Sequence, residues 1–237
     1  MKQSLTLYFI HGAGGTGSKW RRVEGYLGEL RYKILTLPGH DEDNRPMSST
    51  IEEFASVCSS EIDEDGIVIG HSMGGLIGIE LAAINEKVKG LVLANSHYEL
   101  PVHPKILEQL EAGVFPDNFF YASYAKDADQ QLLHEEKAEL HKNAMSVNVN
   151  DFECCAKYRE GKTALEQLNI PVLAIFSTED KLVPPNAKEQ LLSVKPDLQT
   201  ETIEGAGHYA ILEKSSEFTD AVLKFKASIQ EQHEAAL

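Results

Sequence analysis

Short apolar segments alternate with longer amphipathic segments along most of the 237-residue chain. The apolar segments show little alternation with polar residues, which is typical of parallel strands that helices cover on both faces. The repeated order of strand, helix and strand predicts an α/β fold, a doubly wound and mostly parallel sheet with helices on both faces. The predicted strands are LTLYFI at 5–10, YKILTLP at 32–38, GIVIG at 66–70, VKGLVLAN at 88–95, PVLAIF at 171–176 and LQTETIEG at 198–205.

Residues 98–165 interrupt this alternation, because they contain no convincing strand. Segments such as PKILEQLEAGVF and DADQQLLHEEKAELHKNAMS have helical patterns instead. An insertion of this length between two strands is too long for a simple connection. We therefore predict a core formed by residues 1–97 and 166–237, with residues 98–165 as a small helical cap.

The charge of the chain is strongly acidic, with 22 basic and 37 acidic side chains and a formal net charge of −15. Such a charge argues against nucleic acids and anionic membrane surfaces as partners. LTLYFI is too short to be a signal peptide or to span a membrane. The three cysteines lack metal-ligand spacing and favour reduced thiols in a cytoplasmic protein. The oligomeric state is left open by these patterns.

A serine between two glycines, in GHSMGG, directly follows the predicted strand GIVIG and precedes an apolar helical segment. Small residues at Gly70 and Gly74 are what a sharp strand-to-helix turn around Ser72 requires. Such a turn presents the serine hydroxyl as a nucleophile, whereas the alternative is a plain glycine-rich turn. The flanking strand and helix patterns favour the nucleophile.

A serine needs a base to take its proton, and two later loops offer candidates. His208 lies in EGAGHYAILEK, after the last predicted strand, and Asp180 lies just beyond the strand PVLAIF. The order Ser72, Asp180, His208 is expected when each loop follows a successive strand. Glu179 competes with Asp180 for the role of acid, and the spacing to the following Val-Pro favours Asp180.

The loop FIHGAGGTGSKW after the first strand is a candidate oxyanion site. Its backbone can aim the N–H of Ala13 at a developing oxyanion, together with the N–H of Met73, the residue after the serine. The same glycines open a helix, so phosphate binding is an alternative. The loop lacks the later glycine of a dinucleotide fingerprint and has no GK[ST] sequence, which disfavours nucleotides.

Taken together, these motifs resemble those of the α/β-hydrolase superfamily over essentially the whole chain. They are HGAGG, LPGH, GHSMGG, STEDKLVP and GAGHYAILE, in the family's order and at plausible distances. The resemblance implies Ser72 as nucleophile, His208 as base and acid, and Asp180 as the residue that orients His208. Because the chain starts only a few residues before HGAGG, it also implies a sheet of about six strands.

The resemblance implies a serine hydrolase that cleaves a small carboxylic ester through an acyl-enzyme, without a metal or organic cofactor. The expected partner is a small-molecule ester. The alternatives are other reactions of such a triad, namely carbon–carbon bond hydrolysis, thioester or lactone cleavage or an elimination, and a non-catalytic ligand-binding role. The presence of all three triad residue types disfavours the last.

The cap sequence VFPDNFFYASY contains candidates for the substrate pocket, Phe119, Phe120 and Tyr121. The alternative is that these aromatic residues only seat the cap on the core. Arg21 and Arg22 are expected to be solvated helix charges. Since the cap is acidic as well, small neutral esters are predicted to be better substrates than anionic ones.

Overall fold

The computed structural model describes residues 5–41 and 43–235. Its strands are β1 (Thr6–Ile10), β2 (Tyr32–Leu35), β3 (Gly66–His71), β4 (Val88–Ala94), β5 (Val172–Ser177) and β6 (Gln199–Ile203). Within these ranges the strands form one six-stranded sheet in the order β2-β1-β3-β4-β5-β6, with every neighbouring pair parallel. The predicted fold class is therefore confirmed.

Helices cover both faces of the sheet. In chain order, the helices of the described residues are a 3-10 helix (Gly17–Trp20), α1 (Arg21–Leu27), α2 (Ile51–Ser59), α3 (Met73–Ile84), α4 (Pro104–Glu111), α5 (Asp117–Ala122), α6 (Gln130–Glu139), α7 (Met145–Lys157), α8 (Gly161–Gln167), α9 (Ala187–Val194), α10 (Ala210–Glu213) and α11 (Ser215–Ala235). None of the helices in these ranges is both long and apolar enough to cross a membrane.

Alternate strand residues divide the core into two layers, because neighbouring side chains of a strand point to opposite faces. Tyr8 and Val68 pack with the helices on one face, where α2 and α3 lie. Phe9 and Ile69 pack on the other face, where Phe218, Val222 and Phe225 form the buried side of α11. The uninterrupted apolar pattern of the central strands thus reflects burial on both faces.

Five helices, α4 to α8, lie between β4 and β5, where the sequence predicts a helical insertion. The last of them crosses the predicted boundary at residue 165 and packs against α3. The division into a core and a cap at 97/98 and 165/166 remains a prediction. The segment from the start of α4 to the end of α7, residues 104–157 with the loops between the helices, is called the insertion below.

A buried ion pair joins the insertion to the loop after β2. His40 Nε2 lies 2.8 Å from Asp151 Oδ2 in α7, and both side chains are fully buried. The other ring nitrogen, Nδ1, lies 3.1 Å from the carbonyl oxygen of Pro38. Since both neighbours are acceptors, both nitrogens carry protons and the ring is a cation. Burial lowers the pKa of His40, but the hydrogen bond and the charge of Asp151 outweigh it and raise this pKa.

The same carboxylate also holds the loop after β1. Asp151 Oδ2 accepts a hydrogen bond from the N–H of Gly14 at 2.8 Å. Asn143, which precedes α7, donates from Nδ2 to the carbonyl oxygens of Gly14 and Gly15 at 3.1 and 2.8 Å. The insertion therefore fixes the backbone of the glycine-rich loop by hydrogen bonds from two directions.

Replacing Asp151 with alanine should strongly destabilise the protein, because it leaves a buried cation and the Gly14 N–H without their partner. Breaking one side of a buried pair costs on the order of 3 kcal/mol of the free energy of unfolding, measurable by urea titration. Glu153→Ala is the matched control on the same helix, since Glu153 forms an exposed pair with Lys157. It should leave the free energy of unfolding near the wild-type value.

The loss in Asp151→Ala should also depend on pH. Pairing raises the pKa of His40 above its unfolded value of about 6.5. The stabilisation is therefore fully present below pH about 6.5 and is lost as the pH rises through the folded pKa. A difference between wild type and variant that grows at alkaline pH would contradict the assignment of charge to His40.

Candidate active site

Ser72 occupies a strained turn between β3 and α3, with φ 52° and ψ −120°. A Cβ atom at Gly70 would lie 2.1 Å from the carbonyl oxygen of Gly74, and one at Gly74 would lie 2.4 Å from that of Ile10. No side chain fits at either position, so the turn requires both glycines. The predicted sharp turn is confirmed, and its physical basis is the close packing of α3 against β1.

Hydrogen bonds hold the main chain of Ser72 in this conformation. Its N–H donates to the carbonyl oxygen of Ala94 at 3.0 Å. Its carbonyl oxygen accepts from the N–H of Gly75 at 2.9 Å and from the Ser96 hydroxyl at 2.7 Å. In the described part of the chain the Ser72 hydroxyl itself has no hydrogen-bond partner. The side chain instead lines a cavity of about 250 Å³.

His208 lines the same cavity, and its ring is bonded to Asp180. The distance from His208 Nδ1 to Asp180 Oδ2 is 3.0 Å, and both side chains are almost fully buried. A carboxylate oxygen can only accept, so Nδ1 carries the proton and Nε2 is left as the basic atom of the neutral ring. No hydrogen bond between Ser72 and His208 is found among the described residues, and such contacts often tighten only when a substrate is bound.

Asp180 is held as an anion by several donors. Burial raises its pKa, but the electrostatic interaction and hydrogen bond with His208, the N–H of Leu182 and the Asn95 amide outweigh burial and lower the pKa below its usual range. Leu182 N–H donates to Oδ1 at 2.8 Å, and Asn95 Nδ2 donates to Oδ2 at 2.9 Å. A fixed anion at this place can orient the imidazole and stabilise its protonated form.

Glu179, the alternative acid, is directed elsewhere. Its Oε2 accepts a hydrogen bond from the N–H of Lys126 in the insertion, at 2.9 Å. Its own N–H donates to the carbonyl oxygen of Ala206. The structure therefore brings Asp180, and not Glu179, to the ring of His208.

Two backbone N–H groups lie near Ser72 without partners among the described residues. Met73 is the first residue of α3, so its N–H has no acceptor within that helix. Ala13 lines the cavity in the loop after β1. This loop passes close to the serine, since a Cβ atom at Gly12 would lie 2.9 Å from Ser72 Cβ. Two such donors can stabilise a negatively charged oxygen.

The cavity wall is mainly apolar and aromatic. Two of the predicted pocket residues, Phe119 and Phe120, line it together with Phe115, Phe152 and Leu140. Tyr121, the third candidate, is not part of this wall, because its side chain is 51% exposed and its ring lies 4.8 Å from Lys137 Nζ. Successive residues of a helix are rotated by about 100°, so α5 cannot point all three rings inwards.

Sequence reasoning missed the residues that join the His208 loop to the insertion. The N–H of His208 donates to the carbonyl oxygen of Ser123 at 2.8 Å. The Glu213 carboxylate accepts from the N–H groups of Gly207 and Ala125 at 2.9 and 2.8 Å. These partners are backbone atoms, for which the sequence carries no signal. Asn95 was also missed, although a polar residue at the end of a buried strand is a recognisable signal.

The two arginines near the first loop were expected to be solvated, and this expectation is wrong for Arg21. Its guanidinium donates to Glu136 at 2.8 Å and to Glu135 at 3.1 Å, both in α6 of the insertion. Arg22 donates to the carbonyl oxygen of Leu212 at 3.0 Å. The preceding Lys19 is buried, contacts the Glu136 carboxylate and lines the cavity.

Comparison with known proteins places these features in a family. The sequence model of the alpha/beta hydrolase family matches residues 7–221. The pimeloyl-(acyl-carrier protein) methyl ester esterase of Neisseria meningitidis serogroup C is 26% identical over 229 residues, covering 90% of each protein. A lipase-esterase related protein from Clostridium acetobutylicum has a similar fold, with a TM-score of 0.85, 20% identity, and coverage of 94% of this chain and 95% of that one. A thermophilic esterase gives a TM-score of 0.81, 25% identity, and coverage of 94% and 90%. The chain belongs to the alpha/beta hydrolase family.

Proposed function

We propose that this chain hydrolyses a small carboxylic ester through an acyl-enzyme, with Ser72 as nucleophile, His208 as acid and base, and Asp180 as the orienting carboxylate. The observation that carries the proposal is the Asp180–His208 hydrogen bond beside a cavity that also exposes the hydroxyl of the strained Ser72. The printed name of the relative from Neisseria supports the same bond class, a carboxylic ester.

In the first half of the proposed reaction, Ser72 Oγ attacks the carbonyl carbon of the ester. His208 Nε2 takes the hydroxyl proton, and Asp180 stabilises the imidazolium that forms. The carbonyl oxygen becomes an anion, which the N–H groups of Ala13 and Met73 stabilise. The carbon–alkoxide bond then breaks, and the alcohol leaves with the proton from His208.

In the second half, water replaces the alcohol. His208 Nε2 takes a proton from this water as the oxygen attacks the acyl carbon, and the same two N–H groups stabilise the second oxyanion. Collapse of this intermediate breaks the bond to Ser72 Oγ and returns the proton to the serine. The products are a carboxylic acid and the free enzyme.

The size and lining of the cavity support a small substrate. A volume of about 250 Å³ with phenylalanine and aliphatic side chains suits a short acyl or alkyl chain. Phe119 and Phe120 in α5 form part of this wall. These two residues are proposed to select the length of the acyl or alkyl group of the substrate.

Replacing Ser72 with alanine should lower kcat for a p-nitrophenyl ester by a factor on the order of 10⁴ or more, because the covalent step is lost. A fluorophosphonate probe should label wild type on Ser72, as read by peptide mass spectrometry. Ser123→Ala, which changes another serine of the cavity lining, should retain the labelling. Wild-type activity in a folded Ser72→Ala protein would refute the mechanism.

Asp180→Asn should lose a factor of about 10³ to 10⁴ in kcat, because an asparagine cannot hold His208 in the required tautomer as a carboxylate does. Glu179→Gln is the matched control. Its side-chain oxygen can still accept from Lys126 N–H, so kcat/KM should stay within about threefold of wild type. A larger loss in Glu179→Gln than in Asp180→Asn would mean that the acid has been misassigned.

Phe119→Ala should change the ranking of p-nitrophenyl esters from acetate to octanoate. Removal of the ring enlarges the cavity and should raise the octanoate-to-acetate ratio of kcat/KM by about tenfold. Tyr121→Ala, on the outer side of the same helix, should leave this ratio unchanged. A uniform loss for all esters that follows a lower Tm would show that Phe119 only seats the insertion.

A further inference from the structure

The charged residues around the cavity differ in sign from the chain as a whole. The chain has 37 acidic against 22 basic side chains. In the described part of the chain, however, the residues that line the cavity include two lysines, Lys19 and Lys181, and no aspartate or glutamate. An anionic or electron-rich group can therefore bind near Ser72 without meeting a carboxylate of the cavity lining, although the chain as a whole is acidic.

Lys19 is the more informative of the two lysines because it is buried. It is 6% exposed, and its ammonium group contacts the Glu136 carboxylate. An ammonium group has three N–H donors, and among the described residues Glu136 is the one acceptor that Lys19 reaches. Donors of a buried cation that lack an acceptor are costly, and the cavity is the open side from which an acceptor can approach.

Glu136 orients Lys19 but does not neutralise it completely, because the same carboxylate also pairs with Arg21. The Glu136 side chain is fully buried and also accepts from Arg21 Nη1 at 2.8 Å and from the Tyr124 hydroxyl at 3.1 Å. Two cations thus share the Glu136 carboxylate. Arg21 also pairs with Glu135 at 3.1 Å, and Glu135 lies 4.0 Å from Arg22, so these three cations and two carboxylates carry a formal charge of +1. Arg21 does not line the cavity, so Lys19 is the cation of this group that a substrate can contact.

Stacked aromatic rings lie beside Lys19. The Lys19 ammonium lies 5.0 Å from the centroid of the Tyr209 ring. That ring is stacked on Tyr124 at 5.1 Å and on His71 at 4.9 Å. The ammonium is therefore restrained by a carboxylate contact and by the face of a packed aromatic ring. A fixed donor is suited to recognition, because little side-chain entropy is lost on binding.

We propose that Lys19 is a second anchoring point for the substrate, which binds an acceptor oxygen of the ester at a position separate from the scissile group. The ligand chemistry is a carboxylate or a carbonyl in the chain that fills the cavity. This inference rests on the proposed esterase function. It replaces the expectation, drawn from net charge, that neutral apolar esters are the better substrates.

The test compares methyl esters of equal chain length by the release of methanol. Monomethyl esters of four- to eight-carbon diacids are compared with methyl esters of the monoacids and of the corresponding keto acids. At least one half-ester should exceed its monoacid counterpart by about tenfold or more in kcat/KM, the size of one charge-assisted hydrogen bond. A parallel gain for the keto ester identifies hydrogen bonding as the recognised property, and a gain for the half-ester alone identifies charge.

Variants then assign the preference to a residue. Lys19→Met should bring the ratio of half-ester to monoacid ester close to one. Arg21→Met is the comparison variant, because it removes the other cation on Glu136 outside the cavity. It leaves Lys19 as the remaining cation on Glu136, so it should lower the ratio less than Lys19→Met does. If Lys19→Met does not fold, the double variant Lys19→Met/Glu136→Gln removes both charges of the pair. Its ratio of half-ester to monoacid ester in kcat/KM should also be close to one.

Three results would overturn the proposal. They are equal kcat/KM for all members of the series, a ratio that survives in Lys19→Met, and a ratio that depends on Arg21 or Lys181 to the same extent. Binding separates this failure from failure of the proposed function. If no ester is hydrolysed, calorimetric titration of Ser72→Ala with the half-esters, with and without Lys19→Met, still tests the anchoring point, and equal Kd values would refute it.

Discussion

The crossing of α3 over the end of β1 is the constraint on which the site depends. Gly74 lies against the carbonyl oxygen of Ile10, and Gly70 lies against Gly74, so neither position accepts a side chain. This contact forces Ser72 into a conformation that non-glycine residues rarely adopt. It also sets the serine beside the loop that follows β1. The strand order reverses between β1 and β3, and the carboxyl edge at such a reversal is where open α/β sheets form ligand sites.

The insertion completes the site through buried polar contacts as well as apolar packing. Asp151 accepts a hydrogen bond from the Gly14 N–H in the glycine-rich loop, and Glu136 pairs with Lys19. The carbonyl oxygen of Ser123 accepts a hydrogen bond from the N–H of His208. The first two contacts join α7 and α6 to the connection between β1 and α1, and the third joins Ser123, directly after α5, to the loop that carries His208. Buried hydrogen bonds and ion pairs have narrow geometric requirements, and their loss is costly. A displacement of the insertion would therefore disturb the proposed oxyanion loop and the proposed base, and not only the shape of the cavity.

The parts of this arrangement that the sequence predicts are those determined by neighbouring residues. The turn at Ser72 depends on glycines two positions away, and the strands depend on short apolar runs. Asp180 and His208 are recognisable because each follows a predicted strand. By contrast, Lys19 and Glu136 are 117 residues apart, and Gly14 and Asp151 are 137 apart. Contacts between residues so far apart in the chain depend on how the insertion packs on the rest of the protein, and no local sequence pattern specifies that packing. The position of Tyr121 outside the cavity wall was unpredictable for the same reason, since the rotation of α5 about its axis decides which rings face inwards.

Net charge and the charge around a cavity are different quantities, and this protein separates them clearly. Excess carboxylates on the outer surface act on an approaching ligand through water and salt, which screen them over about 10 Å at moderate ionic strength. Lys19 acts at contact distance in a region that is largely closed to water, where electrostatic interactions are screened far less. Glu136 would cancel that effect if it served Lys19 alone, but it is shared with Arg21. If Lys19 anchors the substrate as proposed, the selectivity of the cavity depends on the few charges that line it and on how completely each is paired, while the acidic surface affects how fast a charged ligand arrives.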